Sequence, residues 1–386
     1  MKNWKKVVGW VLAAAVVVGV VGFNAYKSQE RATTGKQKVY AVLPLTGNVA
    51  FVGQKIQKSI EFIMQKENYP FEVVFVDSES NPTKGLTALQ SAAVPQDKPI
   101  ALSFMSSVSS VILPYIDQKN GFLFTISTKS VTADSDSFLH MDCPLSDIIN
   151  PLVRHVAQSY RRIDIVYLME DYGLAEKNFL VSELKKNGFN NIQEWSIPFN
   201  VSDPKNEVTK LLSTNPEAVI ILGNPTLGYI NLFKALHLQD FKGDVLAAEL
   251  ADPTLLEMLQ SHAEGTIAVV PVLNTDEQLS DGERKLKQEI DAIGIKTNYN
   301  IPTQTWDALN LIKYTIENKL PFDRKTYENL KDWKNVAGNI NSFNKEQNKG
   351  CSLRLTRYQN GVFHLMKENT ELNKNGQFVL VESEEK

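Results

Sequence analysis

Small hydroxyl side chains follow three predicted strands in the first third of the chain, and they could bind a carboxylate. Thr46 follows the first strand, Ser106 and Ser107 open the segment after the third, and Ser127-Thr128 follows the fourth. Hydroxyl groups and the free backbone N–H groups at helix starts are good hydrogen-bond donors to an anion. Each residue alone would be read as a helix N-cap, but their recurrence at successive strand ends favours a ligand site.

A second group of side chains, farther along the chain, could bind an ammonium group. Asp171-Tyr172-Gly173, Asn224-Pro225 and Glu249 each follow a predicted strand. An acid at a strand end can receive an ammonium, while a tyrosine offers an apolar face and a hydroxyl. A solvated surface position is the alternative interpretation of Glu249.

The motifs of common enzymes and metal sites do not occur in the sequence. There is no G-x-S-x-G, H-E-x-x-H or C-x-x-C, and the five histidines have no ligand spacing between them. The loop of Pro44 to Gly53 has no lysine after its glycines and no G-x-G-x-x-G, so no nucleotide fingerprint is present. The sequence therefore predicts no catalytic activity, no metal site and no cofactor.

Length and charge limit the class of protein further. The 386 residues predict about two domains, and contents of 43% apolar and 22% charged residues are ordinary for a globular protein. The 41 basic and 44 acidic residues give a net charge of -3, which argues against a nucleic-acid partner.

The N-terminus has the pattern of an export signal. Lys2, Lys5 and Lys6 precede an uncharged run from Val7 to Phe23, which a polar segment follows. The run is near the shortest length that spans a membrane, and a cut after Gly22 is the alternative. We favour an uncleaved anchor over residues 7–23, with the rest of the chain outside the cytoplasmic membrane.

Short β-branched runs alternate with amphipathic stretches, which is typical of parallel α/β layers. Predicted helices include Gln54 to Lys66, Val108 to Asp117 and Leu174 to Asn187. Two comparable series of strands suggest two similar lobes, and Asn360-Gly361 predicts a hairpin after them. The predicted strands are Lys38 to Leu43, Phe71 to Val76, Ile100 to Ser103, Phe122 to Ile126, Ile163 to Leu168, Ile192 to Ile197, Ala218 to Leu222, Asp244 to Ala247 and Thr266 to Val270.

The order of these motifs resembles the periplasmic leucine/isoleucine/valine-binding proteins, the type I solute receptors of ABC importers. The resemblance covers roughly Lys38 to Met366. It implies an α/β fold of two Rossmann-like lobes with a three-crossover hinge (periplasmic binding protein-like I), and a ligand in the interlobe cleft. The matching segments are PLTGNVAFVG, Asp77 with Asn81-Pro82, Ser106-Ser107, Thr125 to Thr128, Asp171-Tyr172-Gly173, Glu249 and Trp306-Asp307-Ala308.

Family membership also implies roles for single residues. Ser106 or Ser107, with Ile126 and Thr128, would hold the α-carboxylate of an amino acid. Tyr172 matches the tyrosine of the family's Tyr-Gly turn, and Glu249 matches the acid that takes the α-ammonium. Val52 stands where relatives often have an aromatic residue, and Asn224 with Pro225 lies near the family's second-lobe aromatic.

The resemblance assigns the lobes and the two cysteines. Residues 1–37 would be signal or anchor and linker, 38–141 plus 272–350 lobe 1, 142–271 plus 351–369 lobe 2, and 370–386 a polar tail. Cys143 would lie in the first crossover and Cys351 in the third. The two cysteines pair across the hinge or remain separate buried thiols, and we hypothesise that they pair.

The sequence thus predicts a non-enzymatic, extracytoplasmic receptor for a small carboxylate-bearing ligand, an amino acid by the resemblance. Its partner would be an ABC permease. The alternative is a membrane-anchored sensor ectodomain that signals to a partner protein.

Overall fold

A computed structural model describes residues 36–94, 98–126, 135–337, 340–343, 348–349, 352–366, 370–372 and 378–380. The predicted anchor at residues 7–23, Ser127, Thr128 and Cys351 lie outside these residues, so the predictions on them stay predictions. Within the described part, no helix has both the length and the apolar character needed to cross a membrane.

Strands and helices alternate through most of the described chain. The strands are β1 Gln37–Leu43, β2 Phe71–Asp77, β3 Ile100–Phe104, β4 Phe122–Ile126, β5 Phe138–His140, β6 Ile163–Leu168, β7 Ile192–Ile197, β8 Ala218–Leu222, β9 Asp244–Ala247, β10 Ile267–Pro271, β11 Trp333–Lys334, β12 Ile340–Phe343, β13 Asn348–Lys349, β14 Leu353–Gln359, β15 Val362–Leu365, β16 Thr370–Leu372 and β17 Phe378–Leu380. The α-helices are α1 Ala50–Lys66, α2 Pro82–Ala92, α3 Ser106–Gln118, α4 Leu145–Ser159, α5 Asp171–Lys186, α6 Lys205–Leu212, α7 Leu227–Leu238, α8 Pro253–Leu259, α9 Asp281–Asp291, α10 Asn300–Glu317 and α11 Arg324–Glu328.

Lobe 1 is built on a five-stranded parallel sheet in the order β2-β1-β3-β4-β5. Helices cover both of its faces, so β1 is an almost continuous apolar run, as expected for a doubly covered parallel strand. Alternate residues of β1 belong to the cores on opposite faces of the sheet. In α1, Ile56, Ile60 and Ile63 are fully buried at helical spacing, each contributing about 1.5–3 kcal/mol.

Lobe 2 is built on a seven-stranded sheet in the order β15-β14-β10-β9-β8-β6-β7. Strands β6 to β10 are parallel to one another, with β7 at one edge of the sheet, and the β14–β15 hairpin is added antiparallel to β10. Asn360 and Gly361 both have positive φ at the hairpin turn, which confirms the hairpin prediction. The two lobes confirm the predicted fold class, while their predicted boundaries in the chain stay predictions.

Several elements differ from the sequence-based expectation. The strand β5 was not predicted, because three residues are too short for a periodicity signal. Helices α1, α3 and α5 begin two to four residues earlier than predicted, so Ser106-Ser107 and Asp171-Tyr172-Gly173 are first helical turns rather than loops. Where a polar tail was expected, residues 370–372 pair with 378–380 as antiparallel strands.

Asp307 is a buried carboxyl in α10, on the Trp306-Asp307-Ala308 segment. Its Oδ1 accepts a hydrogen bond of 2.8 Å from the backbone N–H of Val336. Burial raises the pKa of Asp307 from 3.8 to about 7, against the opposite effect of that hydrogen bond. The folded protein therefore keeps a proton that the unfolded chain releases near pH 4.

We expect the free energy of unfolding to fall by on the order of a few kcal/mol as pH rises from about 4 through 7, because burial of the charged carboxylate is unfavourable. Asp307→Asn should remove this part of the dependence of the unfolding free energy on pH. The variant should be at least as stable as the wild type at pH 8. Urea unfolding at pH 5 and pH 8 measures both. Asp203→Asn, at an exposed position, should keep the wild-type slope. An unchanged slope in Asp307→Asn would contradict the assignment.

Candidate functional site

Asp77 at the end of β2 fixes the loop that follows β1. Its carboxylate accepts hydrogen bonds from the backbone N–H groups of Leu45 and Glu79 and from the N–H and hydroxyl of Thr46, at 2.8–3.2 Å. Burial acts to raise the pKa of Asp77, but these hydrogen bonds outweigh it and hold the pKa below its usual value. Thr46 is exposed and its hydroxyl is bound to Asp77, so it serves the loop rather than the cleft.

The start of α1 lies directly against the same loop. A Cβ at Gly53 would meet the carbonyl oxygen of Pro44 at 2.2 Å, so only glycine permits this approach. The close contact places Val52 against the gap between the lobes, where it lines the cleft. The glycine thus allows the first turns of α1 to pack directly against the loop after β1.

The carboxyl ends of the two sheets face a common cleft with a volume of about 70 Å³. That is room for roughly five water molecules, the scale of a small solute. Apolar side chains form most of its wall, and the polar groups are mainly carboxyl and amide groups. The lining residues are Val52, Phe104, Asp142, Ile148, Tyr172, Asn224, Pro225, Ala248, Glu249, Leu250, Ala251, Asp252, Leu255, Val269, Pro271, Asn298, Asn300, Ile301 and Leu353.

Tyr172 and Glu249 form a hydrogen-bonded pair on the lobe 2 wall. The Tyr172 hydroxyl donates to Glu249 Oε1 at 2.7 Å, and the Tyr229 hydroxyl donates to the Glu249 carbonyl oxygen at 2.7 Å. Burial, with the charges of Glu176 and Glu249, raises the pKa of Tyr172 well above its ordinary value. Tyr172 therefore stays protonated and orients the carboxylate of Glu249.

Glu170 ties the two loops that carry Tyr172 and Asn224. It is the N-cap of α5, and its carboxylate accepts from the backbone N–H groups of Tyr172, Gly173 and Asn224 and from the Asn224 amide, at 2.8–3.2 Å. Burial raises the pKa of Glu170, against the opposite effect of these hydrogen bonds. This carboxylate positions two lining residues.

Asp142 lies where the chain first passes from lobe 1 to lobe 2. Its Oδ1 accepts from the Cys143 backbone N–H and from Gln304 Nε2, both at 2.7 Å. Cys143 takes part in a disulfide, and the chain has one other cysteine, Cys351. Because Cys351 lies outside the described residues, the pairing itself stays a prediction.

The predicted ligand residues fall into three groups. Val52, Tyr172, Asn224 and Glu249 line the cleft together. Ser106 and Ser107 form the first turn of α3, after Met105 at φ 77°, and Ile126 is buried at the end of β4. They are not among the described lining residues, and Thr128 is not described, so their contact with a ligand stays a prediction.

Sequence reasoning did not identify Glu170, Asp142, Asn298, Asn300 or Asp252. Asp252 could have been found, because an aspartate followed by Pro253 is the signature of a helix start. Glu170 and Asp142 act through partners that are distant in sequence, so no local pattern indicates them. Within the described part of the chain, no group of side chains could hold a metal ion.

Comparisons with known proteins agree with this architecture. The sequence matches the family described as "Periplasmic binding protein" over residues 36–361. The structure resembles the leucine binding protein LivK of Thermotoga maritima, with 18% identity, a TM-score of 0.73 and coverage of 86% of this chain and 98% of that one. No curated protein matches the sequence.

Two further solved structures share the fold. An amino acid ABC transporter substrate-binding protein from Pseudomonas fluorescens is 16% identical, with a TM-score of 0.71 and coverage of 89% of this chain and 98% of that one. A solute binding protein from Rhodopseudomonas palustris, in complex with 4-hydroxybenzoate, is 14% identical, with a TM-score of 0.72 and coverage of 86% and 96%. At these identities the likeness establishes the fold.

We expect Glu170→Gln to destabilise the protein by about 1–3 kcal/mol, because an amide has one oxygen where four N–H groups need two. Amide hydrogen exchange should quicken at Tyr172, Gly173 and Asn224. Urea unfolding with exchange mass spectrometry measures both effects. Asp171→Asn, the exposed neighbour, is the matched control and should change neither. Wild-type exchange at these amides in Glu170→Gln would contradict the role.

Proposed function

Because the chain belongs to the periplasmic binding protein family, we propose that it is an extracytoplasmic receptor that binds an amino acid between its lobes and delivers it to an ABC importer. The observation that carries the ligand proposal is the Tyr172–Glu249 pair on the cleft wall. A carboxylate with two oxygens has about four acceptor sites. The Glu249 carboxylate lines the cleft and brings the negative charge that an ammonium group requires.

The proposed carboxylate subsite lies on lobe 1, at the start of α3. The first-turn N–H groups of a helix and the hydroxyls of Ser106 and Ser107 are suitable donors for an anion. Phe104, at the end of β3, lines the cleft just before that turn. Ile126 and Thr128 complete the subsite in our proposal. A zwitterion would then span the gap, with its anionic end on lobe 1 and its cationic end on lobe 2.

Such a ligand would stabilise the closed arrangement of the lobes. Only the closed state lets one molecule contact both walls, so ligand binding shifts the population of the protein toward closure. Val52, Ile301 and Phe104 supply the apolar surface of the lobe 1 wall. They favour a ligand with a small apolar side chain.

Related structures supply an alternative ligand class. The Thermotoga protein is described as leucine binding, whereas the Rhodopseudomonas protein holds 4-hydroxybenzoate, which has a carboxylate but no ammonium. Glu249 and Asp142 on the cleft wall favour the ligand with the positive charge. A thermal-shift screen with amino acids and with 4-hydroxybenzoate separates the two classes, since a ligand of the folded state raises the melting temperature.

We expect Glu249→Gln to weaken binding of the amino acid found in that screen by roughly 10- to 100-fold, because a charge-assisted hydrogen bond to the ammonium is lost. Isothermal titration calorimetry measures the affinity. Glu264→Gln, exposed in lobe 2 and outside the cleft lining, is the matched control and should bind as the wild type does. Equal affinities in the wild type and Glu249→Gln would refute the ammonium site.

Delivery to an importer is tested in cells. Deletion of the gene should lower uptake of the identified ligand to a small fraction of the wild-type rate, and restoring the gene should restore uptake. Radiolabelled uptake by intact cells measures this. Normal uptake in the deletion strain would contradict the delivery step and favour a sensor ectodomain.

A further inference from the structure

A buried ion pair joins the two lobes beside the cleft. Lys55 of α1, in lobe 1, places its Nζ 2.8 Å from both carboxylate oxygens of Asp252 and 2.8 Å from the Thr254 hydroxyl, in lobe 2. Lys55 is 9% exposed and Asp252 is 7% exposed. Asp252 itself lines the cleft, and Lys55 lies one helical turn beyond Val52, which lines it from the other lobe.

Both partners belong to separately packed bodies. The neighbours of Lys55 in α1, Ile56 and Ile60, are buried in the lobe 1 core. Leu255 and Leu259 of α8, which Asp252 caps, are buried in a core of lobe 2. Opening of the cleft would thus separate the ion pair while leaving each helix packed in its own lobe.

Both Lys55 and Asp252 make hydrogen bonds in addition to the ion pair between them. Asp252 Oδ1 also accepts from the backbone N–H groups of Thr254 and Leu255, as a helix N-cap. The ammonium has a third partner in Thr254 and lies 5.6 Å from the centroid of the Phe51 ring. A buried ion pair is favourable when such additional hydrogen bonds accompany good geometry, and the loss of one partner is costly.

We propose that Lys55 and Asp252 form a latch that stabilises the closed arrangement of the lobes in the absence of a ligand. The ion pair exists only when the lobes are closed, so it contributes free energy to one state of the equilibrium. Both the ligand and the ion pair then contribute free energy to the closed state. The proposal depends on the two-lobed fold and is independent of the ligand's identity.

The test measures the separation of the lobes in ligand-free protein. Cysteines introduced at Lys58 in α1 and Met258 in α8, both exposed, carry spin labels on the two helices of the latch. Double electron–electron resonance gives the distance distribution between the labels. We expect Lys55→Met and Asp252→Asn each to lower the ratio of closed to open molecules by roughly tenfold or more.

Controls separate the latch from general destabilisation. Asp252→Asn keeps an acceptor at the helix N-cap, so α8 stays capped. Lys296→Met is the matched control, because it removes the Lys296–Glu257 ion pair, which also joins lobe 1 to α8. The side chains of that pair are 74% and 58% exposed. Exposed ion pairs contribute little free energy, so the distances between the spin labels in this variant should match those of the wild type. The double variant should be no more open than the more open single variant.

Two outcomes would overturn the proposal. One is an unchanged distance distribution in both Lys55→Met and Asp252→Asn; if one variant fails to fold, the other decides. The second is a ligand-free wild type that is already open, a result that needs no variant. Because no ligand enters this measurement, its failure is distinct from a failure of the thermal-shift screen.

Discussion

The parallel strands of both sheets have their carboxyl ends at one common cleft, and the rest of the site depends on this constraint. Parallel strands leave their following loops and helix starts at a single edge. In each lobe a carboxylate then organises that edge: Asp77 accepts the N–H groups of the first loop, and Glu170 accepts those of two loops in lobe 2. The strands bring the loops together, and the carboxylates give them a fixed shape.

Several charged groups are buried in this protein, which is unfavourable in free energy, and the structure compensates for this differently at each position. Glu170 is compensated by N–H donors, and Lys55 with Asp252 by each other and by a helix start. Asp307 accepts one hydrogen bond from the described residues, from the Val336 N–H, and burial raises its pKa to about 7, so a proton compensates this carboxyl at lower pH. Burial and hydrogen bonding together set the direction of each pKa, since Asp77 and Glu170 each accept four hydrogen bonds but the pKa of Asp77 is lowered and that of the more buried Glu170 is raised.

Sequence patterns predicted the strands well, because buried parallel strands are short apolar runs with clear ends. They predicted helix starts less well. Tyr172 and Ser106 lie in the first turns of α5 and α3, whose N-cap residues are Glu170 and Met105. Neither Glu170 nor Met105 has the small polar side chain that usually caps a helix. Of the predicted residues that line the cleft, Tyr172, Asn224 and Glu249 were indicated by their positions at strand ends, and Val52 by the family resemblance. No local pattern indicates the Lys55–Asp252 pair, because the two residues lie 197 positions apart in the chain.

The chain passes between the lobes near residues 141–145, near 271–275 and before β14. The second and third of these passages are joined by a hydrogen bond of 2.8 Å from the Val272 N–H to the Ser352 carbonyl oxygen. Neither lobe is formed from one continuous segment, since β14 and β15 complete the sheet of lobe 2 after lobe 1 has been built. A protease cut in any one passage would therefore leave the lobes covalently connected through the other two, and a nicked receptor would remain one molecule.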